Sequence, residues 1–309
     1  MTAVSPRTTR RSSGGDQLFS YVILGLAGLI LVIVLAYFVL LFSGGARAVA
    51  GEGLSFLFGT TWNPNAGVFG ILPFILGTFI TSVIALAIAI PLSIAAALCI
   101  TEYAPRWLAE PVGYLVELLA AIPSVVYGLW GIYVLLPRIR DFQLWFIQTT
   151  NIAWPPAGYG ILTAGILLSI MIIPFIAAIS RDIIRLVPND QREAAYALGA
   201  TKWEVIRTGI LPYARAGIFG GIILGLGRAI GETLAVTMVI GNVTRLPQNP
   251  FDQGATMSSI IASQFPEAQD PNFVSSLIAI GLLLLVFSVI VNYIARAVIV
   301  RLTPAGVRL

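Results

Sequence analysis

Six long, continuously apolar runs decide most of what this chain can become. They lie near Phe19–Phe42, Ile71–Ile100, Val112–Pro137, Gly160–Ser180, Gly217–Val243 and Phe273–Ala295. A helix needs about 20 mostly apolar residues to cross a ~30 Å hydrocarbon core, and each run is long enough. Barrel strands would instead alternate apolar and polar residues over about ten positions. These runs do not alternate, so the sequence predicts an all-α, polytopic membrane bundle of six transmembrane helices. Only 10% of the 309 residues are charged, against roughly 25% in soluble domains, which excludes a water-soluble single-core protein. The second run is too long for one straight crossing, and Pro91 is where a bend is expected.

Composition also removes classes of function. There is no histidine, so His-based catalysis, a His-ligated metal and a Ser-His-Asp triad are excluded, and no catalytic or metal-binding residue is predicted. Cys99 is the single cysteine and cannot form an intrachain disulfide. Lys202, the single lysine, lies outside any G-x-x-x-x-G-K-[ST] pattern, so a P-loop is absent. Thirteen of the 18 Lys and Arg residues fall on the side of the termini and the Arg181–Arg215 segment. The opposite loops hold four, Arg47, Arg138, Arg140 and Arg245, while Arg228 lies inside a run. The excess of positive charge places both termini in the cytoplasm.

Residues 1–18 read as a disordered cytoplasmic tail, and 19–309 as one membrane domain with a cytoplasmic loop at 181–215 and an outer loop at 243–272. Ala48-Val49-Ala50 looks like a signal-peptidase site, but the 24-residue run before it exceeds the 7–15 of a signal peptide, so the first helix is expected to be retained.

The cytoplasmic loop carries two helix starts in quick succession. Asp190-Gln191-Arg192-Glu193 and Thr201-Lys202-Trp203-Glu204 both have capping-box spacing. Gly199 lies between them, where a left-handed residue would end the first helix. Pro188 and Pro212 bracket the element. The expected product is a short helix, a sharp turn and a second short helix, rigid enough to serve as a docking element.

The residues here resemble a known motif. Glu193-Ala194-Ala195, three residues, Gly199, and then Leu211-Pro212 are similar to the EAA motif of ABC importer permeases, E-A-A-x-x-x-G, nine residues, I-x-L-P. Gly209 stands where that family has Ile, with Ile210 beside it. In that family the short EAA helix fits a groove on the ATPase subunit, so the resemblance implies a nucleotide-binding partner. Ala121-Ile122-Pro123-Ser124-Val125-Val126-Tyr127-Gly128-Leu129-Trp130-Gly131 and Leu224-Gly225-Leu226-Gly227-Arg228-Ala229-Ile230-Gly231-Glu232-Thr233 narrow the resemblance to the permeases of the phosphate-specific importer, of the PstC type rather than the PstA type.

The resemblance implies a type I ABC importer permease that moves inorganic phosphate across the bacterial cytoplasmic (inner) membrane. Its implied partners are a homologous PstA-like permease, two PstB-like ATPase subunits and an external PstS-like phosphate-binding protein. ATP and Mg would sit on the ATPase, with no cofactor and no nucleic acid bound by this chain. Two other functions compete. One is an ABC permease for another oxyanion, sulfate or molybdate. The other is an ion-coupled secondary transporter with Glu232 as its ion site, although no inverted repeat is visible.

Within the fifth run, Arg228 lies about 16 Å along a helix that starts at Gly217, near the middle of the bilayer, with Glu232 one turn beyond. An unpaired charge there costs at least ~2.5–3.5 kcal/mol, and the i,i+4 spacing allows the two to meet. On a continuous helix Gly217, Gly221, Gly225, Arg228, Glu232, Ala235 and Asn242 share a ~100° face. Its small residues suggest close packing with a second membrane subunit, and its polar part a translocation path. Position alone leaves mutual neutralisation and anion contact both open; the resemblance favours the latter, for which a guanidinium fork suits an oxyanion.

Three further readings complete the sequence. Pro123-Ser124 should loosen the third run and suits a gating bend. Glu117, close to the cytoplasmic interface, is expected to snorkel or pair with an interfacial Arg. Trp62, Trp107, Trp145 and Trp154 read as interfacial anchors.

Overall fold

The computed structural model describes residues 14–150 and 155–302. The expectations for the first 13 residues, for Trp154 and for Arg308 lie outside that range, whereas residues 14–18, expected as the end of a disordered tail, are the first turn of a helix. Nearly every element is helical. In chain order they are α1 (Gly14–Glu52), α2 (Leu54–Phe58), a two-stranded hairpin of β1 (Trp62–Asn63) and β2 (Val68–Phe69), α3 (Leu72–Leu98), α4 (Arg106–Ala120), α5 (Ser124–Trp130), α6 (Leu136–Thr150), α7 (Ile161–Arg185), α8 (Asn189–Ala197), α9 (Lys202–Val205), α10 (Leu211–Gly231), α11 (Leu234–Val239), α12 (Met257–Gln264) and α13 (Pro271–Leu302). Lipid offers the backbone no hydrogen-bond partners, so each crossing closes its own ladder as a helix.

The bundle is built around α7. In the most apolar stretch of α7 67% of residues are buried, against none in that of α1, which touches the bundle mainly along α13. Leu168, Met171, Ile172 and Ile176 of α7 form the centre of the largest core cluster, with Ala85 and Ala89 of α3 and Ala229 of α10. α1 is fixed near its end by small residues. A Cβ on Gly45 would lie 2.9 Å from the Ala279 Cα. Ser275 Oγ donates to the Gly44 carbonyl at 2.7 Å and accepts from the Ala48 amide at 3.1 Å. Close backbone approach and a hydroxyl bridge are how helices associate where lipid is as apolar as their side chains.

Five of the described helices are long and apolar enough to cross without a break, Lys202–Gly231 among them, and α3 passes through Pro91 as one helix. The third run is broken inside its span, and the fifth run is divided after its crossing helix. The third breaks at Ala121-Ile122-Pro123, and the chain turns through 90° between α4 and α5. Pro123 has no amide hydrogen to continue the ladder and restricts the residue before it, so α4 ends at Ala120 and α5 restarts at Ser124. This is a true break rather than the loosened bend expected. The fifth run ends at Gly231; Glu232 is extended (φ −67°, ψ 125°), and α11 begins at Leu234. The continuous face assumed from Gly217 to Asn242 therefore does not exist.

Residues 243–272, expected as an outer loop, do more than connect. Ala255–Ile260 is buried in the bundle. The Met257 amide donates to Thr78 Oγ1 of α3 at 2.9 Å. The carbonyls of Pro250 and Asp252 accept from the amides of Leu162 and Ile161, satisfying the first donors of α7, which a buried helix start cannot leave bare. Trp62 is not an interfacial anchor. It is 6% exposed, its Nε1 donates to Gln264 Oε1 at 2.8 Å, and its ring meets Phe69, Phe74 and Phe273 edge-on. Trp107 and Trp145 do stand exposed.

Candidate functional site

The break between α4 and α5 meets the point where α10 ends and α11 begins. A Cβ on Gly128 of α5 would sit 3.2 Å from the Ala235 Cα of α11, so these short helices lie backbone to backbone. On the other side of the break, Arg228 in the last turn of α10 reaches the end of α4, where Nη1 donates to the Ala120 carbonyl over 3.4 Å. That carbonyl belongs to the last turn of α4, where no helical amide remains to claim it and the helix dipole is negative. The guanidinium also lies 5.8 Å from the centroid of the Phe175 ring. Residues 120–128 and 228–235 thus form the two walls of one junction.

Arg228 and Glu232 do not pair. Among the described residues the ion pairs are Arg181–Glu117, Arg181–Asp182 and Arg192–Glu102. The reason is the end of α10. Once the chain leaves the helix at Glu232, the i,i+4 geometry no longer applies. The Glu232 carboxylate turns to the start of α11, where Oε1 accepts from the Ala235 amide at 3.4 Å, and its carbonyl accepts from Ser258 Oγ at 2.7 Å. A carboxylate at a helix start and a guanidinium at a helix end are each placed well for the backbone dipoles. Ser258 and Phe175 carry no sequence signal for this role; the polar Gly231-Glu232-Thr233 triplet inside an apolar run was the mark of the break itself.

The glycines of α10 split into two sets. A Cβ on Gly217, Gly221 or Gly225 would come within 2.9 Å of Ile183, Ile179 or Ile176 of α7. Their close packing is therefore inside this chain and not with a second subunit. Gly220, Gly227 and Gly231 have open space beside them. Past α11 a polar cavity of about 330 Å³ is lined by Tyr159, Thr237, Gly241, Asn242 and Gln253. Asn242 holds a left-handed backbone (φ 52°), and its Nδ2 donates to the Thr237 carbonyl at 2.8 Å. Pro123 caps α5 and Ser124 begins it, on the α5 side of the same break.

At the other end of the bundle, Arg181 of α7 is buried (6% exposed) and bonds to both Glu117 of α4 and Asp182. Glu117 thus has the arginine partner its position suggested. Gly113 leaves the room, since a Cβ there would fall 2.3 Å from Arg181 Nη1.

The 181–215 loop folds as a helix, a turn and a second helix. α8 starts without the expected Asp190 box; Pro188 occupies the cap position, with no side-chain cap, and puts Asp190 in the first turn. There it still favours the helix dipole. Gly199 is left-handed (φ 81°). Thr201 caps α9, with its side chain accepting from the Glu204 amide and the Glu204 carboxylate accepting from the Thr201 amide at 2.7 Å. The second helix is not separate, because α9 runs through a π segment, Ile206–Ile210, into α10. Glu193 and Ala194 are exposed and Ala195 is half-buried, beside exposed Tyr196, Leu198 and Trp203.

The Thr201 hydrogen bonds hold the Glu204 carboxyl below its usual value of 4.5. Because the folded pKa is the lower one, the cap acts in full above the unfolded value and is lost as pH falls through the folded one. Protection of the Thr201 and Glu204 amides, relative to their intrinsic exchange rates, is expected to fall as pH drops through the carboxyl range. Glu204→Gln should make that pH dependence vanish; an equal pH response in the variant would place its origin elsewhere.

Comparison with known proteins follows the same lines. The family model for "Binding-protein-dependent transport system inner membrane component" matches residues 89–304. The "Phosphate transport system permease protein PstC" of Xylella fastidiosa (strain 9a5c) is 41% identical over 302 residues, covering 95% of this chain and 93% of that protein. Its namesake in Mesorhizobium japonicum is 43% identical over 312 residues, covering 96% and 93%. Among solved structures, a bacterial alginate ABC transporter, in complex with alginate pentasaccharide-bound periplasmic protein, aligns with a TM-score of 0.63 at 16% identity, over 95% of this chain and 99% of that one. The MetNI methionine ABC transporter aligns at 0.55 and 18% identity, over 76% and 95%. These two share the fold.

Proposed function

We infer that this chain, which belongs to the binding-protein-dependent transport system inner membrane components and within them to the PstC phosphate permeases, is a membrane permease subunit of an ATP-driven phosphate importer, and that the anion passes the junction where the break between α4 and α5 meets the end of α10. The observation that carries the path is the state of Arg228. Its guanidinium lies at the meeting of two helix breaks, holds one long bond to a carbonyl, and is free of Glu232. Discontinuous helices whose ends face a cavity are a recurrent way to bind an ion inside a membrane without a permanent counter-charge. An oxyanion accepts from the guanidinium fork, while Glu232 near by keeps the contact from becoming a trap.

The remaining parts fit this role. The exposed face of α8, with Glu193, Ala194 and Tyr196, docks on a partner ATPase, which holds the ATP and Mg. The open glycines Gly220, Gly227 and Gly231 leave a face of α10 for a homologous second permease. The cavity at Tyr159, Thr237 and Asn242 is the outer vestibule that receives phosphate from an external binding protein. The chain crosses the inner membrane several times, with α8 and both termini in the cytoplasm, a reading supported by the Lys and Arg excess on that side.

The test is the reconstituted complex with its candidate partner permease, ATPase and binding protein. Phosphate, and neither sulfate nor molybdate, is expected to stimulate ATP hydrolysis and to be taken up. Stimulation by another anion would keep the importer and overturn phosphate as its cargo. Gradient-driven uptake by the chain alone, with no ATPase co-purifying, would overturn the importer itself.

A further inference from the structure

The loop carrying α8 and α9 grips the end of α3 at two consecutive residues. Arg192 of α8 brings Nη2 to 3.0 Å from Glu102 Oε1, with the two side chains 19% and 13% exposed. The same guanidinium donates through Nη1 to the Val187 carbonyl at 2.6 Å and through Nη2 to the Ile184 carbonyl at 3.1 Å, at the end of α7. Lys202, the first residue of α9, holds its Nζ 4.7 Å over the ring of Tyr103. Glu102 and Tyr103 lie in the π turn, Cys99–Tyr103, that ends the α3 crossing. Beside them Ala97, Leu98, Ile184, Val187, Val205 and Ile206 form one buried apolar cluster.

A bond network of this kind does not slide. α8 cannot shift against α3 without leaving a largely buried charge unpaired, which is far costlier than breaking a surface pair. At its other end α3 reaches the junction described above. Thr78 Oγ1 takes the Met257 amide, and the next residue, Ser258, bonds the Glu232 carbonyl. A continuous set of bonded elements therefore runs from the ATPase-facing helix to the residue beside Arg228.

We propose that Arg192 and Glu102 are positioning residues that deliver the movement of α8 to α3, and through it to Glu232, so that they set how much anion moves for each ATP hydrolysed. This rests on the reading of α8 as the ATPase-docking helix. Neither residue touches the anion. Glu102→Gln is the informative change, because it cuts the tie to α3 and leaves the bonds of Arg192 to the α7 carbonyls in place.

The experiment uses the complete complex in liposomes, with phosphate uptake and ATP hydrolysis measured in the same vesicles. For Glu102→Gln the ATPase is expected to remain bound and active, while phosphate moved per ATP falls about fivefold or more, the scale of an ordinary coupling between sites. Exchanging the charges, Glu102→Arg with Arg192→Glu, should recover more of that ratio than Glu102→Arg alone. A wild-type ratio in Glu102→Gln overturns the proposal, and so does a parallel loss of bound ATPase and uptake, the mark of a purely structural pair. A bulky Ala194→Trp on the exposed face of α8 tests the premise separately. If that variant still recruits the ATPase, the docking reading fails on its own account.

Discussion

Phosphate uptake by the complex carrying Arg228→Gln is expected to fall roughly ten- to hundredfold, with assembly and basal ATP hydrolysis retained. The magnitude is that of one charge-assisted hydrogen bond, about 1.5–3 kcal/mol, converted to a rate ratio. Assembly should survive because the guanidinium gives this fold little, a single 3.4 Å bond to Ala120 and a distant ring. Arg228→Lys should recover part of the loss, since it restores the charge but not the planar fork. Uptake in vesicles, set against the amount of intact complex, measures both effects. Wild-type uptake in Arg228→Gln would remove Arg228 from the path, whatever its position.

The largest structural effect is expected at Gly77. A Cβ there would lie 2.1 Å from the carbonyl oxygen of Ala255, and a backbone atom in a buried stretch cannot turn aside as a flexible side-chain end can. Gly77→Ala must push α3 away from Ala255–Ile260, the segment that holds Met257 on Thr78 and Ser258 on Glu232. Overpacking of this kind costs about 1–3 kcal/mol or more, a large share of the ~5–15 kcal/mol by which domains are stable. The thermal midpoint and yield of the purified protein are expected to drop sharply. Gly220→Ala is the control, because nothing lies within 4 Å of its added carbon. Equal stability of the two variants would show that the Gly77 contact relaxes without strain.

Local features were legible wherever a few neighbouring residues settle them. The Thr201 cap and the left-handed Gly199 both follow from short spacings. The Asp190 box failed on an equally local competitor, Pro188, whose rigid ring sets the start of α8 two residues too early for Asp190 to cap it. Glu117 was readable as half of an ion pair, but Arg181 lies 64 positions away, and several arginines share that side of the membrane. The breaks at Pro123 and at Glu232-Thr233 each carried a sign in the residues. A continuously apolar stretch nonetheless reads the same whether the chain runs straight or turns through 90°.

The membrane, the helices that cross it, the helix–turn–helix of the 181–215 loop and an arginine deep in the fifth run were all determined by the order of residues alone. Each depends on a property that is counted along the chain, namely apolar length, cap spacing or the depth of a charge. Tertiary structure decided which surfaces face what. It turned Gly217, Gly221 and Gly225 toward α7, drew the supposed outer loop into the bundle, and separated Glu232 from Arg228 by ending α10 between them. The physical reason is that lipid tails are as apolar as the helices they surround. In a soluble protein a polar face marks the outside, but here an apolar face can meet lipid, a neighbouring helix or another subunit at nearly the same cost, and packing geometry alone makes the choice.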